Sequence, residues 1–307
     1  MGRYLARRLL ELIPVFFGAT FLIFAMVFVL PGDPIRALSG DKPLPEPVVR
    51  ELNDRYNLDD PLVVQYGKYM SGLFRGDFGE TFNGEQVRDI MAEKFPVTLQ
   101  LALMAFGMEV VIGLLAGVLS GLKRGSFIDN VVLISTIIVI SVPVFVLGFV
   151  AQLTLGVRFR IFPIAGIQEG FKSFLLPAMV LAAVSLAYVA RLVRTSLSEN
   201  LRSDYVRTAT AKGLSRFRVV GRHTLRNSLI PVVTYLGIDL ATLMQGAIVT
   251  EGIFNIPGIG REIFLAVRAQ SGPLVVGITS AMVLIFMLSN VAVDVLYAWL
   301  DPRIRYE

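Results

Sequence analysis

The sequence has no cysteine and a single histidine, His223. Without cysteine there is no disulfide, no thiolate metal site and no thiol nucleophile, and one imidazole cannot build a histidine metal cluster. Charge is scarce as well: Asp, Glu, Lys and Arg make up 17% of 307 residues, whereas 54% are hydrophobic and the mean hydropathy is +0.66. A soluble domain of this length needs more polar surface, so the composition points to a membrane protein. The phosphate loop G-x-x-x-x-G-K-[ST], the G-x-S-x-G elbow and H-E-x-x-H are all missing, and GFKSF at Gly170 lacks the features of a phosphate cradle. The chain is therefore expected to bind no cofactor or metal and to catalyse nothing itself. If its activity needs ATP, another chain must hold the site. The net charge of +5 does not argue for nucleic acid, because the basic residues are spread among apolar runs in the manner of membrane orientation.

What the sequence does have is long apolar runs. About 20 residues at about 1.5 Å rise each cross a hydrocarbon core of roughly 30 Å. Six runs qualify, near residues 9–30, 97–122, 130–155, 175–193, 231–249 and 274–300. The first is longer than a signal-peptide core and is followed by PGDP instead of a small-residue cleavage site, so it is expected to stay as a helix. The reading is an all-α membrane protein with six transmembrane helices and a helical insertion between the first two.

Basic residues near the spans set the orientation. Arg3, Arg7 and Arg8 precede the first span, Lys123 and Arg124 lie between the second and third, and Arg303 and Arg305 follow the sixth, all on one side. The stretch 191–229 belongs there too, with nine basic residues against two acids. On the other side, residues 31–96 carry eight basic and twelve acidic residues. Both termini are expected in the cytoplasm. Residues 31–96 read as small helices, EPVVRELNDRYNL and PLVVQYGKYMSGLF, the second starting at Pro61 as first helical residue. They would cap the membrane mouth, offer an external docking surface, or both. The division is thus 1–30 for the N-terminus and first span, 31–96 for the extracytoplasmic segment, and 97–307 for a five-helix core with a cytoplasmic loop at 194–230.

Glu109, Asp239 and Asp294 lie well inside the runs, and an ionisable group in hydrocarbon is costly unless it faces a cavity or a partner. Asp239, Thr242 and Gln245, three apart beside Gly246, are expected to form one polar face. Asn290 and Asp294, four apart, share another. Such faces line a solute path or bond to neighbouring helices, and the sequence leaves both open. Beyond the fifth span, in EGIFNIPGIGREIFLAVRAQSGP, Asn255 is followed by Pro257, Gly258 and Gly260, which break the helix; Ile263, Phe264, Ala266 and Val267 then suggest a short amphipathic helix at the mouth.

DYVRTATAKGLSRFRVVGRHTLRNSLIP, residues 204–231, holds six Lys or Arg and one acid. Orientation accounts for its sign but not its order. VRTATAKGL is small and helix-compatible, with Gly213 as a stop, and Arg218, Arg222 and Arg226 follow four apart on one charged face. A short helix presenting Thr208, Ala209 and Ala211 can sit in a groove of another protein, with arginines pairing acids at its rim or anionic lipid heads.

RYLARRLLELIPVFFGATFLIF with LPGDP, NLDDPLVVQYGKYMSGLFRGDFGETF, EGIFNIPGIG and NVAVDVLYAWLDPRIRY together resemble the B-type permease subunit of dipeptide and oligopeptide ABC importers, over nearly the whole chain and in one order. The resemblance implies a type I importer permease of a prokaryotic inner or plasma membrane. It implies pairing with a related permease subunit, two ATPase subunits that bind ATP and magnesium, and an external peptide-binding protein, with lipid around the spans. It places an ATPase-coupling helix at Tyr205, Arg207, Thr208, Ala209, Ala211, Lys212 and Gly213, a path at Asp239, Thr242, Gln245 and Asn290, and a receptor-facing loop at Asn255, Pro257, Gly258 and Gly260. Against the general importer pattern E-A-A-x3-G-x9-I-x-L-P, only Ala209, Gly213 and Leu225 match; Arg207 and Thr208 replace Glu and Ala, and His223 and Arg226 replace Ile and Pro. Ser271, Gly272 and Pro273 stand where such permeases commonly have Asp-Tyr-Pro. Similar permeases also move nickel complexes, glutathione or haem, so the solute stays open. A secondary transporter is the rival class, but the inverted repeats typical of one are not evident.

Overall fold

The computed structural model describes residues 2–29, 45–81 and 84–300. The sequence readings on residues 30–44, on Arg303 and Arg305, and on the Asp294 side chain lie outside the described residues. Among the described residues the chain is helical, with one isolated bridge, Glu80 to Gln86. The helices are α1 Gly2–Val29, α2 Glu46–Tyr56, α3 Leu62–Leu73, α4 Val87–Met108, α5 Leu114–Leu122, α6 Phe127–Ser141, α7 Val144–Ala151, α8 Phe171–Asn200, α9 Asp204–Ala211, α10 Arg216–Arg218, α11 Leu225–Ser228, α12 Ile230–Phe254, α13 Ile259–Arg268 and α14 Gly272–Leu300. Three π-helical turns join neighbours, Glu109–Gly113, Gln152–Arg158 and Val219–Thr224. Pro61 is the N-cap of α3 and not its first residue, because its φ of −58° suits a helix start while its ψ of 140° is extended.

Among the described residues four helices are long and apolar enough to cross a membrane: Arg7–Phe28, Val87–Leu122, Phe171–Asn200 and Gly272–Val291. The other two expected spans are bent pairs. Phe127–Ser141 and Val144–Arg158 meet at 107°, so the apolar run at 130–155 is two helices with a break and not one continuous helix. Pro143 is the cause: it lacks an amide hydrogen and forces Val142 into extended backbone, φ −101° and ψ 128°. Arg216–Ser228 and Ile230–Gln245 meet at 46°, just before Pro231.

Two compact units form, Leu99–Ile256 and the described parts of Met1–Thr98 with Pro257–Glu307. In the second of these, α1 runs along α14, and α3 is held to α1 by an aromatic cluster in which the Phe24 ring lies 4.5 Å from Phe28 and 5.7 Å from both Tyr66 and Tyr69. Burial pushes the Tyr69 phenol up to about 12. Val87, Ile259, Leu274, Ile278 and Met282 make the core.

In Leu99–Ile256 the buried helix is α8, and α5 crosses it closely because Gly113, Gly117 and Gly121 turn one bare stripe toward it. A Cβ on Gly117 would sit 2.6 Å from the Ala190 carbonyl oxygen and 2.6 Å from Val193 Cβ. Small residues four apart let helix backbones approach where hydrocarbon supplies no hydrophobic drive. On α6 and α7, Ile134, Ile137, Ile138, Phe145 and Phe149 are more than half exposed, a surface that suits lipid or another apolar chain and not water.

Candidate functional site: a basic loop and buried acids

Helix α8 ends at Asn200, and three residues later Ser203, in extended backbone, starts α9. Tyr205 Oη donates to Asn200 Oδ1 at 2.9 Å and ties the new helix to the old one. Val206 is buried and Ala209 half-buried, whereas Arg207, Thr208, Ala211 and Lys212 are exposed. Helical spacing alone does not separate these two flanks, and the structure assigns the outward one to 207, 208 and 211. Gly213 has φ +77° and its amide donates to the Thr210 carbonyl at 2.9 Å, so the helix stops on a left-handed residue where glycine pays no Cβ penalty.

The chain returns through α10, the Val219–Thr224 π-turn and α11. Ser228 Oγ donates to the Ser196 carbonyl at 3.4 Å, and α9 packs on the π-turn, so this loop is a folded unit at the Asn200 end of α8. Arg218, Arg222 and Arg226 are all exposed, on a helix interrupted by the π-turn instead of the regular one expected. Among the described residues no ion pair takes up their charge.

The same end of α8 carries a contact that the sequence reading missed. Asp129, 1% exposed, accepts from Arg194 Nε at 2.5 Å and Nη2 at 2.8 Å, from the Gly125 amide at 2.7 Å and from Ser120 Oγ. One carboxylate thereby joins α5, α6 and α8. Its signal was present in Ser126-x-x-Asp129, a helix-start pattern in which the Asp129 amide donates back to Ser126 Oγ at 3.3 Å. The Gly-x-x-x-Gly-x-x-x-Gly at 113–121 was the other legible and unused signal.

The expected polar face on α12 is divided. Asp239 is 5% exposed and points inward, while Thr242 and Gln245 are exposed, and Thr242 Oγ1 reaches its own Ile238 carbonyl at 3.4 Å. Three-residue steps turn a helix by about 60° each, so a row of three covers about 120° and need not stay on one side. Glu109 is fully buried at the first π-turn. Asn290, on α14, is half-buried and belongs to the other compact unit.

Asn255 ends α12 with φ 51° and is exposed, and the Ile256 amide donates to the Glu251 carbonyl at 2.9 Å. Pro257 is half-buried and Gly258 is the extended N-cap of α13. Gly260 is corrected: it lies buried inside the first turn of α13 and breaks nothing. The inward face of α13 is Ile259, Gly260 and Ala266, with Ile263 packed beside them; Phe264 and Val267, expected on that face, are 48% and 57% exposed. The Ile259 amide donates to Thr98 Oγ1 at 2.8 Å, which fixes the turn.

Residues 110–306 match the family described as binding-protein-dependent transport system inner membrane component, and residues 1–102 match its N-terminal companion. The chain belongs to this family. It is 37% identical to the di/tripeptide transport system permease protein DppB of Pseudomonas aeruginosa, with 100% of each chain covered. It is 35% identical to the dipeptide transport system permease protein DppB of Bacillus subtilis, over 99% of this chain and 98% of that one. A chain of the MetNI methionine ABC transporter, solved in inward-facing conformations, shares the fold at a TM-score of 0.56 and 20% identity, over 69% of this chain and 96% of that one.

An inner membrane component of this family is an integral membrane protein, in keeping with the four to six apolar crossings. Its fold is that of a type I importer permease, all helical among the described residues.

Proposed function

We propose that the chain is the permease subunit of an ATP-driven importer and forms part of the transmembrane path for dipeptides or oligopeptides. The observation that carries this reading is the full-length similarity to peptide permeases of two distant bacteria. The chain pairs with a related permease subunit and with two ATPase subunits, which bind the ATP and magnesium, and takes solute from an extracytoplasmic binding protein. Both termini and the loop 194–230 face the cytoplasm, residues 31–96 face outward, and Asn255 with Pro257 and Gly258 lies toward the receptor.

In this reading α9 is the coupling helix. It is short, outward on its 207, 208 and 211 flank, held to the end of α8 by Tyr205 and packed on the π-turn, so a push on it reaches a helix of 30 residues. Asp, placed at the exposed Ala211, would put a charge into the partner's groove, where an unpaired buried charge costs several kcal/mol. Ala211→Asp should insert normally yet lose ATPase assembly or solute-driven ATP hydrolysis, while Arg218→Gln should retain both. Peptide uptake and ATPase coupling at wild-type level in Ala211→Asp would refute the assignment. The solute is tested by uptake of labelled dipeptides in cells that lack and regain the chain. On the path, Thr242 and Gln245 are the residues to probe; cysteines placed there in this cysteine-free chain should react with small polar thiol reagents at a rate that changes with ATP.

A further inference from the structure

Glu109 and Asp239 are two acids that the proposed transport mechanism leaves unused, and both are more than nine-tenths buried in Leu99–Ile256. Their side chains meet within hydrogen-bonding range. The surrounding packing agrees: Val110 and Leu114, beside and after Glu109, pack in one cluster with Val189, Leu236 and Tyr235. Yet among the described residues both Glu109 carboxyl oxygens and Asp239 Oδ2 lack any hydrogen-bond donor.

The groups facing the pair are few. Asp239 faces Glu109; Tyr235, one turn before Asp239, faces both acids and Ser185 of α8; the Tyr188 ring lies 6.3 Å from the Tyr235 ring. Helix α7, also packed on α12, has no ionisable residue. On α8, Lys172 and Arg191 are exposed and Arg194 is taken by Asp129. No cation of the described residues faces either acid. Two carboxylates side by side in an apolar surrounding cannot both stay ionised; one proton turns one of them into a donor for the other. Glu109 also opens a π-turn, a rare distortion that recurs at functional sites.

We propose that Glu109 and Asp239 form a binding site for a single shared proton inside the membrane-spanning unit. The proton is bonded to one carboxyl oxygen and hydrogen-bonded to an oxygen of the other, so the pair carries one negative charge, with the Tyr235 hydroxyl as the nearest neutral donor. Held this way, the pair latches the Glu109–Gly113 turn to α12. Stripping the proton sets two like charges across that contact and loosens it. The proposal does not depend on which solute is carried or which subunits assemble.

The test uses the full chain with its copurifying subunits in lipid nanodiscs. Infrared spectra at neutral pH should show a protonated-carboxyl band that shifts in deuterium oxide, and the Glu109→Gln, Asp239→Asn double variant should lose it. Heat stability of the wild type should fall on moving to alkaline pH by more than that of the double variant, whose amides cannot be stripped. If the double variant does not assemble, Glu109→Gln alone serves. It removes one of the two carboxyls that share the proton, so the band should shift or weaken. A wild-type protein without the band, a band of equal strength and position in the variants, or a wild-type stability that collapses when sodium and potassium are removed would each overturn the shared proton, the last in favour of a metal cation.

Discussion

Arg194→Met removes the cation from the Asp129 site while keeping most of the apolar stem that α8 packs. Both side chains are inside, Arg194 at 15% and Asp129 at 1% exposure, so solvent offers the stranded carboxylate little. Of its four donors, two belong to Arg194; Ser120 Oγ and the Gly125 amide remain. Breaking a buried pair by deleting one partner costs about 3–5 kcal/mol, and the surviving donors place this case near the lower end. At about 2–4 °C per kcal/mol for a unit of this size, the thermal midpoint should fall by roughly 10 °C. The assay is heat-induced loss of the monodisperse protein in detergent or nanodiscs, for Arg194→Met, Asp129→Asn and the double variant. The double variant should be less damaged than the two losses added, because with the acid neutralised the missing cation matters less. A midpoint within about 2 °C of wild type for Arg194→Met, or strict additivity, would refute the argument that this pair clamps three helices, since coupled groups of a buried pair do not add.

Gly117→Ala should destabilise by roughly 1–3 kcal/mol, since its Cβ meets a carbonyl oxygen and a Cβ that have no room to give, whereas Gly107→Ala, with nothing within 4 Å, should be neutral or stabilising by up to about 1 kcal/mol; equal midpoints for the two would contradict the close crossing of α5 and α8. The Tyr69 phenol is raised from 10.0 to about 12, so its contribution is intact below pH 10 and lost as pH climbs toward 12; Tyr69→Phe should abolish that part of the alkaline loss, on the order of 2 kcal/mol, in a pH series of thermal midpoints. A topology reporter near Ser215 should be cytoplasmic and one near Asp59 external, and finding both on one side would discard the six-crossing arrangement.

The sequence by itself determined the class, the six apolar runs and the place of the basic loop along the chain. Those properties are additive along the chain: a run of apolar residues crosses because each residue partitions alone, and a Gly at 213 acts on its own backbone. Tertiary structure alone decided what depends on two segments meeting. Asp239 and Gln245 sit in one helix at one spacing, yet one is buried against Glu109 and the other exposed, because a helix has no inside until a neighbour supplies it. Gly260 read as a breaker because glycine breaks isolated helices, but α13 packs on the core through Ile259, Ile263 and Ala266, and Gly260 stays helical and buried in its first turn. Asp129 was the least legible of all. An aspartate at the edge of an apolar run has no meaning until an arginine 65 positions later comes within 2.5 Å, and a charge in so apolar a chain is settled by the partner that reaches it.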